Sequence, residues 1–386
     1  MSGQRTDWAA TWSAAVQRPS AGFFPNWSEQ GFTDQTLRQT VRLSIGGDTL
    51  RVRLSNRYGT EPLRIAGLTI AAAAAEAAVK PETLRALTAA GKTAFSVPAG
   101  ADLVTDGTPF PTGAFDPVTF TMHLHEPSGP ATFHAQSLTT THLATGEHLA
   151  DADGEAFTET TQSWYYLAAV EATGTPGDGI VVFGDSLTDG TGSTPDTDRR
   201  FPDVLAQRLA AAGRPRAVLN QGIGGNRATV DSAWLGDRAT SRFGRDALRL
   251  PGVSTVVVLL GVNDIGISEL AEGSPFPVLA PYDAVPEAAV IAAHRDLIAQ
   301  ARAAGKRVVG ATLLPMQQSA FSTPRSEAKR AAANTWIRES GEYDAVLDLA
   351  AAMGDALDPA HDSGDGLHLN DAGYRAVAEA VDLTAL

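Results

Sequence analysis

Near residue 178 the hydrophobic rhythm of this 386-residue chain changes period, and that change limits the folds open to it. Upstream, apolar and polar residues alternate: Val41, Leu43 and Ile45 share one strand face, and Leu50, Val52 and Leu54 share another. The intervening Gly46-Gly47-Asp48 predicts a hairpin turn between the two strands. Further strands are expected at 118–126, 131–138 and 163–172, bounded by Pro, Gly and Asp, with a short helix at 80–91. Residues 1–175 are therefore expected to form a mainly-β domain, a sandwich or a jelly-roll-like arrangement.

After a Gly- and Pro-containing linker at 173–179, short runs of Val, Ile and Leu alternate with amphipathic segments. Strands are expected at 180–183, 217–221, 255–260, 308–313 and 345–349, and helices at 201–212, 234–248, 285–304, 324–340 and 370–383. Near-continuous apolar strands separated by helices imply an α/β domain over 179–386, with a parallel sheet covered on both faces. Sheets of this kind bind ligands beyond the carboxyl ends of their strands.

Composition removes several function classes. With 43% hydrophobic and 19% charged residues the chain has ample material for a core. A formal net charge of −14 with scattered basic residues would repel a polyanion, so nucleic acid is not an expected partner. The chain has no cysteine, which excludes disulfides, thiolate nucleophiles and zinc–cysteine sites. The most apolar segment, 65–79, contains Glu76 and falls short of the roughly 20 residues that span a bilayer. Residues 1–17 lack the apolar core of a signal peptide, so the expectation is a cytoplasmic protein or a trimmed secreted form.

Chemistry-bearing residues gather just after the expected parallel strands. "VVFGDSLTDGTGS" (181–193) sets Ser186 past the first strand, "LNQGIGGNRAT" sets Gly224 and Gly225 past the second, and "LLGVNDIG" sets Asn263 past the third. "DSGDGLHLNDAGY" sets Asp365 and His368 three residues apart before the last helix. A serine nucleophile needs a base, a group that orients the base and donors for an oxyanion, and these segments offer candidates for each. Taken singly they have plainer readings as a turn serine, a tight glycine turn and a helix-capping asparagine. His361, Asp362, Asp365 and His368 are also donors of the type that hold a metal. His123 and His125 share a strand face in "MHLHE", which a partly exposed strand explains without an ion. Companion carboxylates for a metal are thin after the other strands, so no metal is expected; in "GIGGNR" Arg227 stands where a dinucleotide fingerprint has its third glycine, and no lysine-containing phosphate loop occurs, so no cofactor is expected either.

In this order the four blocks resemble those of the GDSL-type, or SGNH, hydrolases. "FGDSLTDG" resembles the first family block, "GIGGN" the second, "GVND" the third and "DGLH" the fifth, over residues 179–386. The resemblance implies a flavodoxin-like three-layer α/β/α domain with Ser186 as nucleophile and Asp365 orienting His368. It also implies an oxyanion hole made by the N–H of Ser186, the N–H of Gly225 and the side-chain amide of Asn263. Asn226 departs from the pattern, since many members have Asp after the glycine.

The implied activity is that of a serine esterase on a small-molecule or carbohydrate ester with a short acyl or an aryl group. An acyltransferase, thioesterase or lipase on the same machinery, and a carbohydrate-binding protein with an idle hydrolase domain, are the alternatives. The long connections 264–286 and 314–326 are expected to wall the pocket. Trp8, Trp12, Trp27 and Trp164 are candidates either for sugar stacking or for the β-domain core.

Overall fold

A computed structural model of the chain describes residues 8–270 and 279–386. They divide into two compact units, Met1–Gly177 and Asp178–Leu386.

The first unit is built mostly of antiparallel strands in two principal sheets. One sheet orders Ala9–Ser13, Leu167–Ala172, Gly47–Ser55 and Asp102–Val104, with Thr108–Thr112 also pairing with Gly47–Ser55. The other orders Glu159–Thr161, Thr141–Thr145, Gln35–Arg42, Pro117–Leu124, Gly67–Ala72 and Arg85–Ala86. Leu37, Val41, Phe120 and Met122 from one sheet and Leu50, Val52, Leu54 and Val170 from the other enter a single buried cluster. The alternation in the sequence thus reports one apolar core shared by two sheets.

The expected hairpin at 41–54 does not form. Its two strands lie in different sheets, and the change of partner occurs within two residues. The N–H of Leu43 still donates to Asp116, at 3.1 Å, while that of Ser44 already donates to Thr11, at 2.9 Å. Gly46 serves close packing here, because a Cβ on it would lie 2.0 Å from the Thr112 carbonyl oxygen. Alternation fixes which face is apolar, and both strands satisfy it against the same core from opposite sides.

Two further expectations are corrected. The helix at 80–91 is a single 3-10 turn, Pro81–Thr83, followed by a strand, Arg85–Ala86, that pairs with Thr69 and Ile70. The Thr83 hydroxyl accepts from the N–H of Ala72 and holds the segment against the sheet. The strand at 131–138 reduces to Phe133–His134. Trp12, Trp27 and Trp164 are buried, with Trp12 and Trp164 in edge-to-face contact, so these three serve the core.

In the second unit five strands, β1 (Gly179–Gly184), β2 (Val218–Gly222), β3 (Val253–Leu259), β4 (Arg307–Ala311) and β5 (Ala345–Leu347), form one parallel sheet. Its order is β2-β1-β3-β4-β5. All six residues of β1 are buried, as expected for a strand flanked on both sides within the sheet.

The helices are α1 (Ser186–Asp189), α2 (Phe201–Ala211), α3 (Ala239–Phe243), α4 (Val262–Ile267), α5 (Glu287–Ala303), α6 (Pro324–Glu339), α7 (Leu349–Met353) and α8 (Asp371–Ala380). The helix expected at 234–248 starts five residues late, at Ala239, and continues as a π turn, Gly244–Leu248. Helix α8 packs on α2 and α7, while α5 packs on α3 and α6. No helix among the described residues is long and apolar enough to cross a membrane.

Candidate active site

The strand order reverses between β1 and β3, and the segments that leave β1, β2 and β3 at their carboxyl ends meet there. Ser186 opens α1, two residues past Gly184, and is 4% exposed. The preceding Asp185 caps the helix by accepting from the N–H of Leu187. Burial pushes the Asp185 carboxyl up to about 7, against the opposing hydrogen bond from Leu187.

The segment after β5 brings a histidine and a carboxylate to the serine. Ser186 Oγ lies 2.8 Å from His368 Nε2, and His368 Nδ1 lies 2.6 Å from Asp365 Oδ2. Burial favours the neutral acid at Asp365, but the bonds donated by the His368 ring and by the N–H groups of His368 and Leu367 outweigh it. They hold the carboxyl well below the usual range. An ionised carboxylate only accepts, so the His368 proton sits on Nδ1 and Nε2 is left to accept from the serine hydroxyl.

This geometry is supported from α8 and from the loop after α1. Asp371 accepts from the N–H and hydroxyl of Thr194, each at 2.8 Å, and the Tyr374 hydroxyl donates to the Thr191 carbonyl.

N–H and amide donors converge from the segments that follow β2 and β3. The N–H of Gly224 is engaged by Asp189 and that of Asn226 by the Ile223 carbonyl, whereas the N–H of Gly225 between them donates to no described residue. The N–H of Ser186 is equally unengaged among the described residues. Gly225 has φ +73°, a left-handed conformation that favours glycine, and a Cβ there would meet Leu235 Cδ2 at 2.7 Å. Asn263, in the first turn of α4, donates one amide hydrogen to the Asn226 carbonyl, at 3.1 Å, and its second has no acceptor among the described residues. Ser186, Gly225, Asn263, Asp365 and His368 therefore all lie on segments that leave the same end of the sheet.

Three supporting side chains escaped the sequence reading. Asp189 holds Gly224, at 3.0 Å. Asp264, fully buried, accepts from the N–H groups of Ala228 and Thr229 and from the Thr229 hydroxyl, tying the loop after β2 to α4. Arg242, also fully buried, donates to Asn226 Oδ1, to the carbonyls of Gln221 and Gly184, and to Asp246. Asp264 stood inside the quoted "GVND", but nothing in one sequence pointed Arg242 at this loop.

The departure at Asn226 now has a physical reason. Its amide nitrogen donates to the carbonyls of Leu235 and Asp237, a task a carboxylate cannot perform.

Of the expected pocket walls, 314–326 packs against the histidine segment, since a Cβ on Gly366 would strike the Gln318 backbone. Phe321 lies equally close to Gly266 of α4. Within 264–286, residues 271–278 lie outside the described residues. At the described end, Arg227 donates to the Pro281 carbonyl at 2.6 Å. His361, Asp362, Asp365 and His368 do not form a metal-type donor cluster among the described residues. Asp362 instead accepts from the N–H groups of Gly364 and Gly366.

The model of the GDSL-like lipase/acylhydrolase family matches residues 182–376. The chain belongs to this family. As a GDSL-like acylhydrolase it is a serine ester hydrolase.

Among solved structures, an acetylxylan esterase from Geobacillus stearothermophilus is similar at 21% identity and a TM-score of 0.40, over 53% of this chain and 93% of its own. An α/β hydrolase enzyme from the metagenome of Lake Arreo, Spain, is similar at 22% identity and a TM-score of 0.42, over 55% of this chain and 95% of its own. No curated protein matches the chain.

Proposed function

We propose that this GDSL-like acylhydrolase cleaves carboxylic esters through an acyl-enzyme on Ser186, with short acyl or aryl esters as its substrates. The observation that carries the reading is the relay of 2.6 Å and 2.8 Å contacts from Asp365 through His368 to Ser186. In the proposed mechanism His368 takes the hydroxyl proton as Ser186 attacks the acyl carbon, and Asp365 stabilises the resulting imidazolium. The carbonyl oxygen gains charge and is met by the unengaged N–H groups of Ser186 and Gly225 and by the Asn263 amide. His368 returns the proton to the departing alkoxide. Water then repeats the sequence and releases the acid.

The strand order β2-β1-β3-β4-β5 supports a flavodoxin-like layout for this unit. The two helix groups, α2 with α7 and α8, and α5 with α3 and α6, support its three-layer α/β/α form. Residues 179–386 are accordingly the catalytic domain in this reading and 1–175 an accessory one. Acetylated carbohydrate remains within the proposed substrate class.

The test is hydrolysis of p-nitrophenyl esters from acetyl to long acyl by the wild type and by Ser186→Ala. Turnover of the short esters by the wild type and silence of the variant support the reading. Equal rates, or a preference for long chains, overturn the mechanism or the acyl-length assignment respectively.

A further inference from the structure

The first unit holds a second constellation, remote in sequence from the serine. His123 and His125 alternate along one strand end, so their side chains share a face, and the register Leu124↔Gln35 brings the chain just before Gln35 alongside them. Asp34 meets both rings there: its Oδ1 lies 3.0 Å from His125 Nδ1 and 3.4 Å from His123 Nε2. All three donor atoms lie within 4.8 Å of one another. A tetrahedral zinc ion with bonds of about 2.0–2.1 Å separates neighbouring donors by about 3.3 Å, so two of the three separations are already those of a zinc shell.

The backbone holds the set in place. Asp34 is fixed at φ 49° with its N–H on the His125 carbonyl, at 3.2 Å, and its carbonyl receives the Gly146 N–H, at 2.7 Å. His123 is buried, whereas the His125 side chain is 70% exposed, so an ion can enter from solvent on that side.

We infer that Asp34, His123 and His125 bind a divalent transition-metal ion of the zinc type, with solvent completing its coordination. Two imidazoles and one carboxylate suit zinc, while calcium and magnesium require shells of oxygen. The bound ion cross-links the start of Gln35–Arg42 to the end of Pro117–Leu124 and stabilises the folded unit by mass action. The three donors stand 89 and 91 positions apart in sequence, Asp34 from His123 and from His125, and only strand pairing assembles them.

The test is calorimetric titration of chelator-treated full-length protein with zinc chloride, and separately with magnesium chloride. The wild type is expected to bind about one zinc equivalent and no magnesium, and to gain thermal stability in zinc. Asp34→Asn and His125→Ala are each expected to weaken binding at least about tenfold, the range found for perturbed metal sites. Neither substitution removes core volume, and unchanged melting of the metal-free variants confirms that they fold. His148→Ala and His368→Ala, which remove the imidazoles paired with Asp151 and Asp365, are expected to bind as the wild type does. Absence of stoichiometric zinc binding by the wild type, or binding that survives in both site variants, overturns the inference.

Discussion

His368 Nε2 stands 2.8 Å from Ser186 Oγ across 182 positions of sequence, with its other ring nitrogen on Asp365. In the proposed mechanism each member of this line depends on the next. Asp365→Asn leaves the size of the side chain unchanged but favours the wrong histidine tautomer. It is expected to lower kcat by about 10³–10⁴ with KM little altered, measured on a short p-nitrophenyl ester.

The same line sets the acid limb of the pH profile. Asp365 is held below the usual carboxylate range, so its contribution is complete above the unfolded value of 3.8 and is lost only as pH falls through the lower folded value. Above the ordinary carboxylate range Asp365 should therefore add no protonation step to the acid limb of kcat/KM. A logarithmic plot with a limiting slope of about one is expected, and a slope of about two would assign Asp365 a second titration in that range.

The oxyanion donors make a separate prediction. Asn263→Ala is expected to lower kcat by about 10²–10³ with little change in KM, because in the proposed mechanism the amide binds charge that exists only in the transition state. Gly225→Ala should be at least as damaging. It adds strain at φ +73° and presses Leu235, moving an N–H that donates to no described residue.

Asn226 and Arg242 couple stability to the same loop. Asn226→Asp restores the commoner family residue but sets a carboxylate oxygen against the carbonyls of Leu235 and Asp237. A loss of about 1–3 kcal/mol in urea unfolding is expected, together with a reduced kcat. Arg242→Met removes four donated hydrogen bonds in a fully buried setting and is expected to cost about 3–5 kcal/mol.

Asp185 predicts a stability trend of opposite sign to that of Asp365. Its folded value of about 7 lies above the unfolded 3.8, so the folded state binds more protons between them. Its contribution is complete below the unfolded value and is lost as pH rises through the folded one. Thermal melting from acid to neutral pH should therefore fall more steeply in the wild type than in Asp185→Asn. Parallel curves would remove the assignment.

By itself the sequence determined the two kinds of architecture, the five parallel strands and the order of the four site blocks. Each of these is local: apolar period, turn chemistry and strand-end motifs are written in neighbouring residues. It did not determine which strands pair, because alternation names a face and not a partner. That is why 41–54 looked like a hairpin and instead crosses between sheets.

Nor did it reveal Arg242 beneath the loop after β2, Asp264 as the tie between that loop and α4, or Asp34 beside the two histidines. These are long-range contacts made by ordinary charged residues, and nothing in one sequence distinguishes such a residue from one on the surface. Tertiary structure decided them because only folding removes water from Arg242 and Asp264, and only strand register brings Asp34 to His123 and His125.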